Sequence, residues 1–286
     1  MQVHILIWIQ QLEHAWLDVW MILSSFFGNT NFYIFAIPIV YWFFGKRLGI
    51  RVATLVIASI SMNEALKVWF QVIRPIGHPG IRSLYIQSAP GYSFPSGHSQ
   101  SAITFWGYLA TRFRNIWFTI LAGAIIVTIT FSRLYLGVHW PLDVLAGLLL
   151  GAAVIWLGLR MEDFFREKRL TSFARIFSAG VLSVFIFFIY PKAEGIELSG
   201  YLFGMLIGYM IEEKMLTCTV PSFILDRLGV LIVGSGVLAA LREIFMLLIP
   251  PENLYYWLAY SVLGLYISWM APWLFVKLGF YRRKGC

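Results

Sequence analysis

The chain has little of two residue classes on which many soluble and secreted proteins depend. Of its 286 residues only 13% are charged, and only two, Cys218 and Cys286, are cysteines. Two cysteines without metal-ligand spacing exclude a disulfide framework and a zinc site, so we expect two free thiols. The N-terminal stretch also lacks a basic segment and a small-residue cleavage site, so we do not expect a removable signal peptide.

A basic run with interleaved aromatic residues is missing as well, so the net charge of +8 does not indicate a nucleic-acid partner. Apolar residues take the place of charges: hydrophobic residues make up 59% of the chain, against roughly 45–50% in an average soluble domain. The composition therefore predicts an integral membrane protein whose partner is the bilayer. Its positive charge then reports membrane orientation and anionic headgroups.

Apolar segments of the length that a membrane-crossing helix needs, roughly 20 residues, recur along the chain. They cover residues 31–45, 50–69, 96–112, 115–134, 139–159, 172–190, 195–212, 226–248 and 254–276. The sequence thus predicts an all-α, polytopic transmembrane bundle of about nine spans.

Residues 2–28 are less apolar. Trp8, Leu12, Trp16 and Trp20 recur at four-residue spacing, which is typical of an amphipathic helix lying in the membrane interface. We therefore predict an N-terminal interfacial amphipathic helix, with a tilted extra span as the alternative.

The charged connector from Arg160 to Arg169 is the clearest boundary in the chain. We predict an N-terminal segment at 1–28, a core at 29–160 that carries the polar motifs, and a C-terminal four-span membrane extension at 161–286. No motif assigns a role to the extension.

Lys and Arg are divided unequally between the two sets of loops. Sixteen of the 22 lie on one side, which the positive-inside bias makes cytoplasmic. The other six are Lys67, Arg74, Arg82, Arg133, Lys192 and Arg242. We expect this second side to face outward from a bacterial plasma membrane, or into the lumen in a eukaryotic cell.

Three polar clusters stand where predicted helices meet loops. They are Lys67 with Arg74-Pro75, then Pro95-Ser96-Gly97-His98, then Ser132-Arg133 with His139 and Asp143. Together they supply three cations, two imidazoles and one carboxylate, a set that fits phosphoryl transfer through a histidine nucleophile.

The spacing within each cluster suggests a role. Lys67 and Arg74 are seven residues apart, two helical turns, so we expect them on one helix face, converging on one anion. Snorkelling to lipid headgroups is the alternative for either residue alone. His139 and Asp143 are four apart, so the carboxylate can orient the imidazole and leave one ring nitrogen unprotonated.

Pro95-Ser96-Gly97-His98 is expected to open a helix, with Pro95 in the first turn, where its missing N–H costs nothing. Free backbone N–H groups, the Ser96 hydroxyl and the bare Cα of Gly97 would then bind an anion. Since imidazole titrates near neutral pH, His98 suits proton donation to a leaving oxygen.

The three clusters resemble the signature of the type 2 phosphatidic acid phosphatase superfamily: Lys-x6-Arg-Pro, Pro-Ser-Gly-His and Ser-Arg-x5-His-x3-Asp. All three match without gap or substitution, and the resemblance covers roughly residues 31–160. It implies that His139 attacks phosphorus, that Asp143 orients it and that His98 protonates the leaving group. It implies phosphate contacts from Lys67, Arg74, Ser96, Gly97 and Arg133.

The resemblance further implies a membrane phosphatase acting on a lipid phosphate monoester or pyrophosphate, without metal or other cofactor because fixed cations replace Mg²⁺. His78 and Arg82, in the neighbouring loop, are candidates for contact with the substrate headgroup. Three alternatives remain open: a phosphatase of a soluble sugar phosphate, a lipid phosphotransferase, and a non-enzymatic scramblase or transporter. The sequence predicts no oligomeric state.

Overall fold

The computed structural model describes residues 1–169, 171–190, 192–216, 218–220, 223–251 and 253–283, and its regular structure is almost entirely helical. The helices are α1 Gln2–Gln10, α2 Ala15–Phe26, α3 Thr30–Phe44, α4 Lys46–Phe70, α5 Gly97–Ala102, α6 Tyr108–Phe113, α7 Ile116–Tyr135, α8 Pro141–Glu167, α9 Ser172–Ile189, α10 Ala193–Met215, α11 Ile224–Leu248, α12 Leu254–Leu265 and α13 Ala271–Lys277. π-Helical turns at Ile103–Gly107 and Tyr266–Met270 join α5 to α6 and α12 to α13.

Minor elements complete the described chain. A 3₁₀ turn covers Ile86–Ser88, and β1 (Cys218–Thr219) pairs antiparallel with β2 (Arg282–Arg283). The expectation of two free thiols stays untested, because Cys286 lies outside the described residues and only the backbone of Cys218 is described.

The predicted all-α, multi-pass membrane architecture is confirmed. Every predicted apolar segment falls on helix to within four residues, except that α8 continues to Glu167. Among the described residues, five helical stretches are long and apolar enough to cross a membrane: α4, α7, α8, α11 and Leu254–Lys277. The pair α2 and α3, bent by 58°, would be a sixth. The count of about nine stays unconfirmed.

The predicted N-terminal helical segment is present, as two helices, α1 and α2. The helix breaks between α1 and α2, because His14 caps α2 by accepting a hydrogen bond from the backbone N–H of Trp16 at 3.4 Å. Trp8, Trp16 and Trp20 are all exposed, but on two helices. Their placement in a membrane interface stays a prediction.

The described chain divides into two compact units, and unit 1 comprises Met1–Tyr33 and Ala58–Phe164. In it, α1 and α2 pack on the end of α7 through a buried cluster that includes Ile9, Met21 and Tyr135. The Gln10 amide accepts from the Arg82 backbone N–H at 3.0 Å and donates to its carbonyl at 2.7 Å. The N-terminal helices thereby hold the loop between α4 and α5.

Helix α8 lies close against α5 because glycines face the contact. A Cβ at Gly147 would lie 2.5 Å from the carbonyl oxygen of Ser96, so no larger residue fits there without displacement. This approach lets the Ser96 N–H donate to the carbonyl of Asp143 at 2.9 Å. Two of the polar clusters are joined in this way.

Unit 2 comprises Ile34–Ile57 and Phe165–Cys286. Helices α10 and α12 make its closest packing, where Gly204 faces the backbone of Ser261 and Gly200 faces that of Trp257. Trp42, fully buried, donates to the carbonyl of Ile267 at 2.9 Å. The domain boundaries expected at 28/29 and 160/161 stay a prediction.

Candidate active site

All three polar clusters meet within unit 1, at the ends of α4, α5, α7 and α8. Arg74 Nη1 lies 2.9 Å from His139 Nε2. A Cβ at Gly97 would lie 3.7 Å from Lys67 Nζ. Contacts that the sequence motifs do not specify thus bring the groups of the predicted site together.

His139 and Asp143 form the predicted side-chain pair at the start of α8. His139 lies two residues before the helix and Asp143 in its first turn, with 3.4 Å between Nδ1 and Oδ2. Ser93 donates to the same Oδ2 at 2.5 Å, and the backbone N–H of Trp140 does so at 2.8 Å. Both residues of the pair are almost fully buried. The carboxylate is therefore held in one orientation toward the ring.

The contact with Arg74 determines the tautomer of His139. A guanidinium has only donors, so the Nε2 atom that faces it must accept, and the ring proton lies on Nδ1 toward Asp143. Burial and then the charges of Arg74, Arg133, Lys67 and His98 lower the pKa of His139 well below its ordinary value. The ring is therefore neutral at neutral pH, with a lone pair on Nε2.

Arg74 reaches His139 from the loop rather than from a helix. Helix α4 ends at Phe70, and Gln71 turns the chain with a positive φ of 50°. The expectation that Lys67 and Arg74 share a helix face was wrong, since the helix ends before the second turn is complete.

The loop places the Arg74 guanidinium among backbone carbonyls. It donates to the carbonyls of Pro90, Gly91 and Val138 at 2.8–3.0 Å. Burial lowers the pKa of Arg74 to about 10, so it stays charged at neutral pH.

Lys67 stands in the last turn of α4 and forms an ion pair with Glu64, one turn earlier on the same helix. Both side chains are partly exposed, 12% for Lys67 and 22% for Glu64. The ammonium is therefore paired, yet accessible at the edge of the site.

Pro95-Ser96-Gly97-His98 opens α5, but one position later than expected. Ser96 is the N-cap and Gly97 the first helical residue, so Pro95 precedes the helix instead of occupying its first turn. The Ser96 backbone N–H donates to the backbone carbonyl of Asp143. The Ser96 hydroxyl accepts a hydrogen bond from the Ser99 hydroxyl at 3.0 Å.

His98 is partly exposed and lies beside Gly28. Its Nε2 has no hydrogen-bond partner in the described part of the chain. A Cβ at Gly28 would lie 2.8 Å from His98 Cδ2, so the connection between α2 and α3 leaves just enough room for the ring. The unpaired nitrogen is available to a bound molecule.

Arg133 is fully buried at the end of α7 and is held by serines from elsewhere in unit 1. Its guanidinium donates to Ser25 Oγ on α2, to Ser88 Oγ at 3.1 Å and to the Ser88 carbonyl at 3.3 Å. These contacts orient the third cation.

The two candidate headgroup contacts lie in the loop between α4 and α5. His78 is exposed, and its Nδ1 lies 2.9 Å from the Pro79 carbonyl oxygen. Arg82 instead forms a bidentate ion pair with Asp18, in which Nη2 donates to Oδ1 at 2.8 Å and Nη1 donates to Oδ2 at 2.9 Å. This bond to Asp18 raises the pKa of Arg82, which stays charged and engaged within the protein.

Ser25, Ser88, Ser93 and Asn63 are site residues that sequence reasoning missed. Each acts by touching a motif residue or its backbone, and none belongs to a recognisable pattern. Among the described residues, no group of three or more His, Cys, Asp or Glu side chains could hold a metal ion.

Comparisons with known proteins give a family match for both halves of the chain. The family described as the PAP2 superfamily matches residues 48–167, which include every motif residue. A second, described as "PAP2 superfamily phosphatase, transmembrane extension", matches residues 196–283. The C-terminal half, to which the sequence analysis assigned no motif, therefore also has a counterpart in the superfamily.

Individual relatives point the same way. The chain is 31% identical to the putative undecaprenyl-diphosphatase YbjG of Escherichia coli over 55% of its own length and 83% of the relative's. It is 29% identical to a probable sphingosine-1-phosphate phosphatase of Dictyostelium discoideum over 68% of its length, and spans only 51% of that relative.

Among solved structures, LpxE of Aquifex aeolicus superposes with a TM-score of 0.50 at 23% identity, covering 56% of this chain and 94% of that one. This likeness supports the fold alone. The two family matches and the E. coli relative lead to one conclusion: the chain is a multi-pass membrane protein of the PAP2 superfamily.

Proposed function

We propose that the chain is a membrane phosphatase that hydrolyses a lipid phosphate monoester or pyrophosphate through a phosphohistidine. The observation that carries the proposal is the environment of His139. Its neutral ring has the proton directed to Asp143 and the Nε2 lone pair directed to a guanidinium. A phosphoryl group held by that guanidinium would meet the lone pair directly.

Two chemical steps follow from this arrangement. His139 Nε2 attacks phosphorus, the bond to the leaving oxygen breaks, and His98 supplies the proton that the leaving alcohol or phosphate takes. Water then attacks the phosphohistidine, giving its proton to His98 and releasing inorganic phosphate. Asp143 stabilises the positive charge that develops on the His139 ring.

Lys67, Arg74 and Arg133 would hold the phosphoryl oxygens as negative charge spreads over them. Ser96 and Gly97 would add a hydroxyl and backbone donors at the start of α5. An incoming phosphate would take over the Arg74 N–H that now bonds Nε2, freeing the lone pair for attack. Since the cations are fixed in advance, the site needs no metal for charge stabilisation.

A lipid substrate fits the site's position at the ends of membrane helices. The relatives named above as an undecaprenyl-diphosphatase and a sphingosine-1-phosphate phosphatase have lipid phosphates in their names. The excess of Lys and Arg on the opposite loops supports a site that faces outward, from the plasma membrane if the source is bacterial.

The histidine mechanism predicts that His139→Ala abolishes phosphate release, by at least about a thousandfold, since the nucleophile is lost. The rate of phosphate release by Lys67→Ala should fall by about a hundredfold, because one cation of the site is lost. Acid-sensitive, base-stable label from a ³²P-lipid phosphate should appear on wild-type protein and on the exposed-residue control His4→Ala, but not on His139→Ala. Full activity of His139→Ala would favour the scramblase or transporter alternative.

Metal removal should leave activity unchanged, because side-chain cations stabilise the transferred group. We expect purified protein in detergent to retain turnover in EDTA and to lose it in orthovanadate, a mimic of five-coordinate phosphorus. The assay should compare phosphatidate, a polyprenyl pyrophosphate and glucose 6-phosphate, with and without alcohol acceptors. Equal turnover of the sugar phosphate, or transfer to an alcohol in place of water, would overturn the lipid-hydrolase assignment.

The outward orientation is testable by cysteine labelling. After Cys218 and Cys286 are changed to Ser, Tyr92→Cys, in the loop between α4 and α5, should react with a membrane-impermeant maleimide on intact cells. Lys168→Cys, in the exposed connector after α8, should react only after permeabilisation. The reverse pattern would place the site in the cytoplasm.

Ser25 should matter although it lies outside the matched family segment, because it holds the Arg133 guanidinium. We expect Ser25→Ala to lower kcat/KM about 10- to 100-fold, the cost of leaving a buried charged donor unpaired. Vanadate affinity should fall in parallel, and Ser25→Thr should restore part of both.

Ser24→Ala is the matched control, since Ser24 Oγ donates within its own helix, to the Trp20 carbonyl at 2.7 Å. It should behave as wild type. If Ser25→Ala lowers thermal stability while kcat/KM and vanadate affinity stay at wild-type values, the contact serves the fold alone.

A further inference from the structure

A chain of side-chain amides fixes the orientation of Asn63, which lies one turn before Lys67 on α4. Gln100 donates through Nε2 to the carbonyl and hydroxyl oxygens of Ser59 at 2.8 and 3.0 Å, so its Oε1 faces away from them. Asn63 Nδ2 donates to that Oε1 at 2.8 Å and to the Pro95 carbonyl at 3.3 Å. Because both neighbours are acceptors, the amide cannot be reversed.

This orientation leaves Asn63 Oδ1 without a donor. The residue is 1% exposed, and within the described chain Oδ1 is buried and makes no hydrogen bond. An unsatisfied buried acceptor destabilises the folded protein, so its presence indicates a bound group that supplies a hydrogen.

The acceptor faces the place where phosphate would bind. A Cβ at Gly97 would lie 3.0 Å from Asn63 Oδ1 and 3.7 Å from Lys67 Nζ. Because Gly97 has no side chain, a space remains beside it, bounded by the Asn63 Oδ1 acceptor and the Lys67 ammonium. A fully ionised phosphate has no hydrogen to offer the acceptor, whereas a singly protonated one has one.

The charge of the site favours the same form. The groups that face it from α4, the following loop, α5, α7 and α8 are the cations Lys67, Arg74 and Arg133, the carboxylates Glu64 and Asp143, and the imidazoles His98 and His139. Before substrate binds, with both imidazoles neutral, three cations and two carboxylates leave one net positive charge, which a monoanion neutralises. The proton that His98 passes to the leaving oxygen then enters the site with the substrate.

We infer that Asn63 selects the singly protonated phosphoryl group, accepting a hydrogen bond from its P–OH at Oδ1. The inference rests on the proposed function, since it assumes that the site binds phosphate. Asn63 is then a specificity-determining residue that touches the substrate, and the motif pattern does not include it.

Binding of two unreactive ligands tests this. Octylphosphonate and its α,α-difluoro analogue both carry a P–C bond in place of the ester bond, so the proposed phosphatase cannot hydrolyse them, and the fluorines lower the second pKa of the analogue. By calorimetry in detergent, wild-type affinity should fall tenfold per pH unit above each ligand's own second pKa, so the curve of the fluorine-free phosphonate breaks at higher pH. Protein groups titrate identically for both ligands, so the difference belongs to the ligand.

Asn63→Leu should bind octylphosphonate about tenfold more weakly at pH 5 and equally at pH 9. Ser61→Ala, on the same helix and with no hydroxyl partner among the described residues, should match wild type. Should Asn63→Leu fail to fold, Glu64→Gln provides the second test. Its additional net positive charge should improve binding at pH 9 more than at pH 5.

Three results would overturn the inference: breaks at one pH for both ligands, a loss in Asn63→Leu that is uniform with pH, or no change of the pH profile in Glu64→Gln. Because binding requires no turnover, these results are separate from the His139→Ala assay. Absence of saturable binding to wild type would overturn the phosphate site itself and this inference with it.

Discussion

Burial of charge at the ends of apolar helices is the constraint on which unit 1 depends. A guanidinium removed from water loses solvation worth several kcal/mol, and only opposite charge and hydrogen bonds restore it. Hydrogen bonds to Ser25 and Ser88 replace the lost solvation of Arg133. Hydrogen bonds to the carbonyls of Pro90, Gly91 and Val138 do the same for Arg74. The path of the loop between α4 and α5 follows from these requirements.

The same requirement makes the N-terminal helices part of the site. Gln10 ties both backbone groups of Arg82 to α1, and Asp18 holds its guanidinium from α2. The loop that supplies Ser88 and Ser93 is thereby held at its middle. A loop free to move would expose its carbonyls to other partners and release the cations that they orient.

The donor arrangement that a phosphoryl group needs is built into the fold of unit 1. Arg74 bonds His139 Nε2, and Asp143 receives three donors on one oxygen. Donors placed before binding need little reorganisation during the reaction, which is where electrostatic catalysis gains its effect. Exchange of one Arg74 bond from nitrogen to phosphate would convert the resting arrangement into the reactive one.

Hydropathy placed the helices well because crossing a hydrocarbon layer demands a length of apolar chain, and that demand is local. Rules based on residue spacing failed where tertiary or capping contacts decided where a helix ends. Spacing put Arg74 on α4, but the chain leaves the helix at Gln71, and Arg74 bonds loop carbonyls instead. The four-residue spacing of Trp8, Leu12, Trp16 and Trp20 suggested one helix, but capping by His14 divides it in two.

The sequence by itself determined the apolar helices, the family and the kinds of group that the site contains, since each follows from residue type and short-range spacing. Only the tertiary structure decided the partners. Ser25 meets Arg133 across 108 positions, Ser93 meets Asp143 across 50, and Asn63 meets Gln100 across 37. Serine and asparagine have no long-range pattern, so these pairings were decided by how the helices and the loop between α4 and α5 pack together.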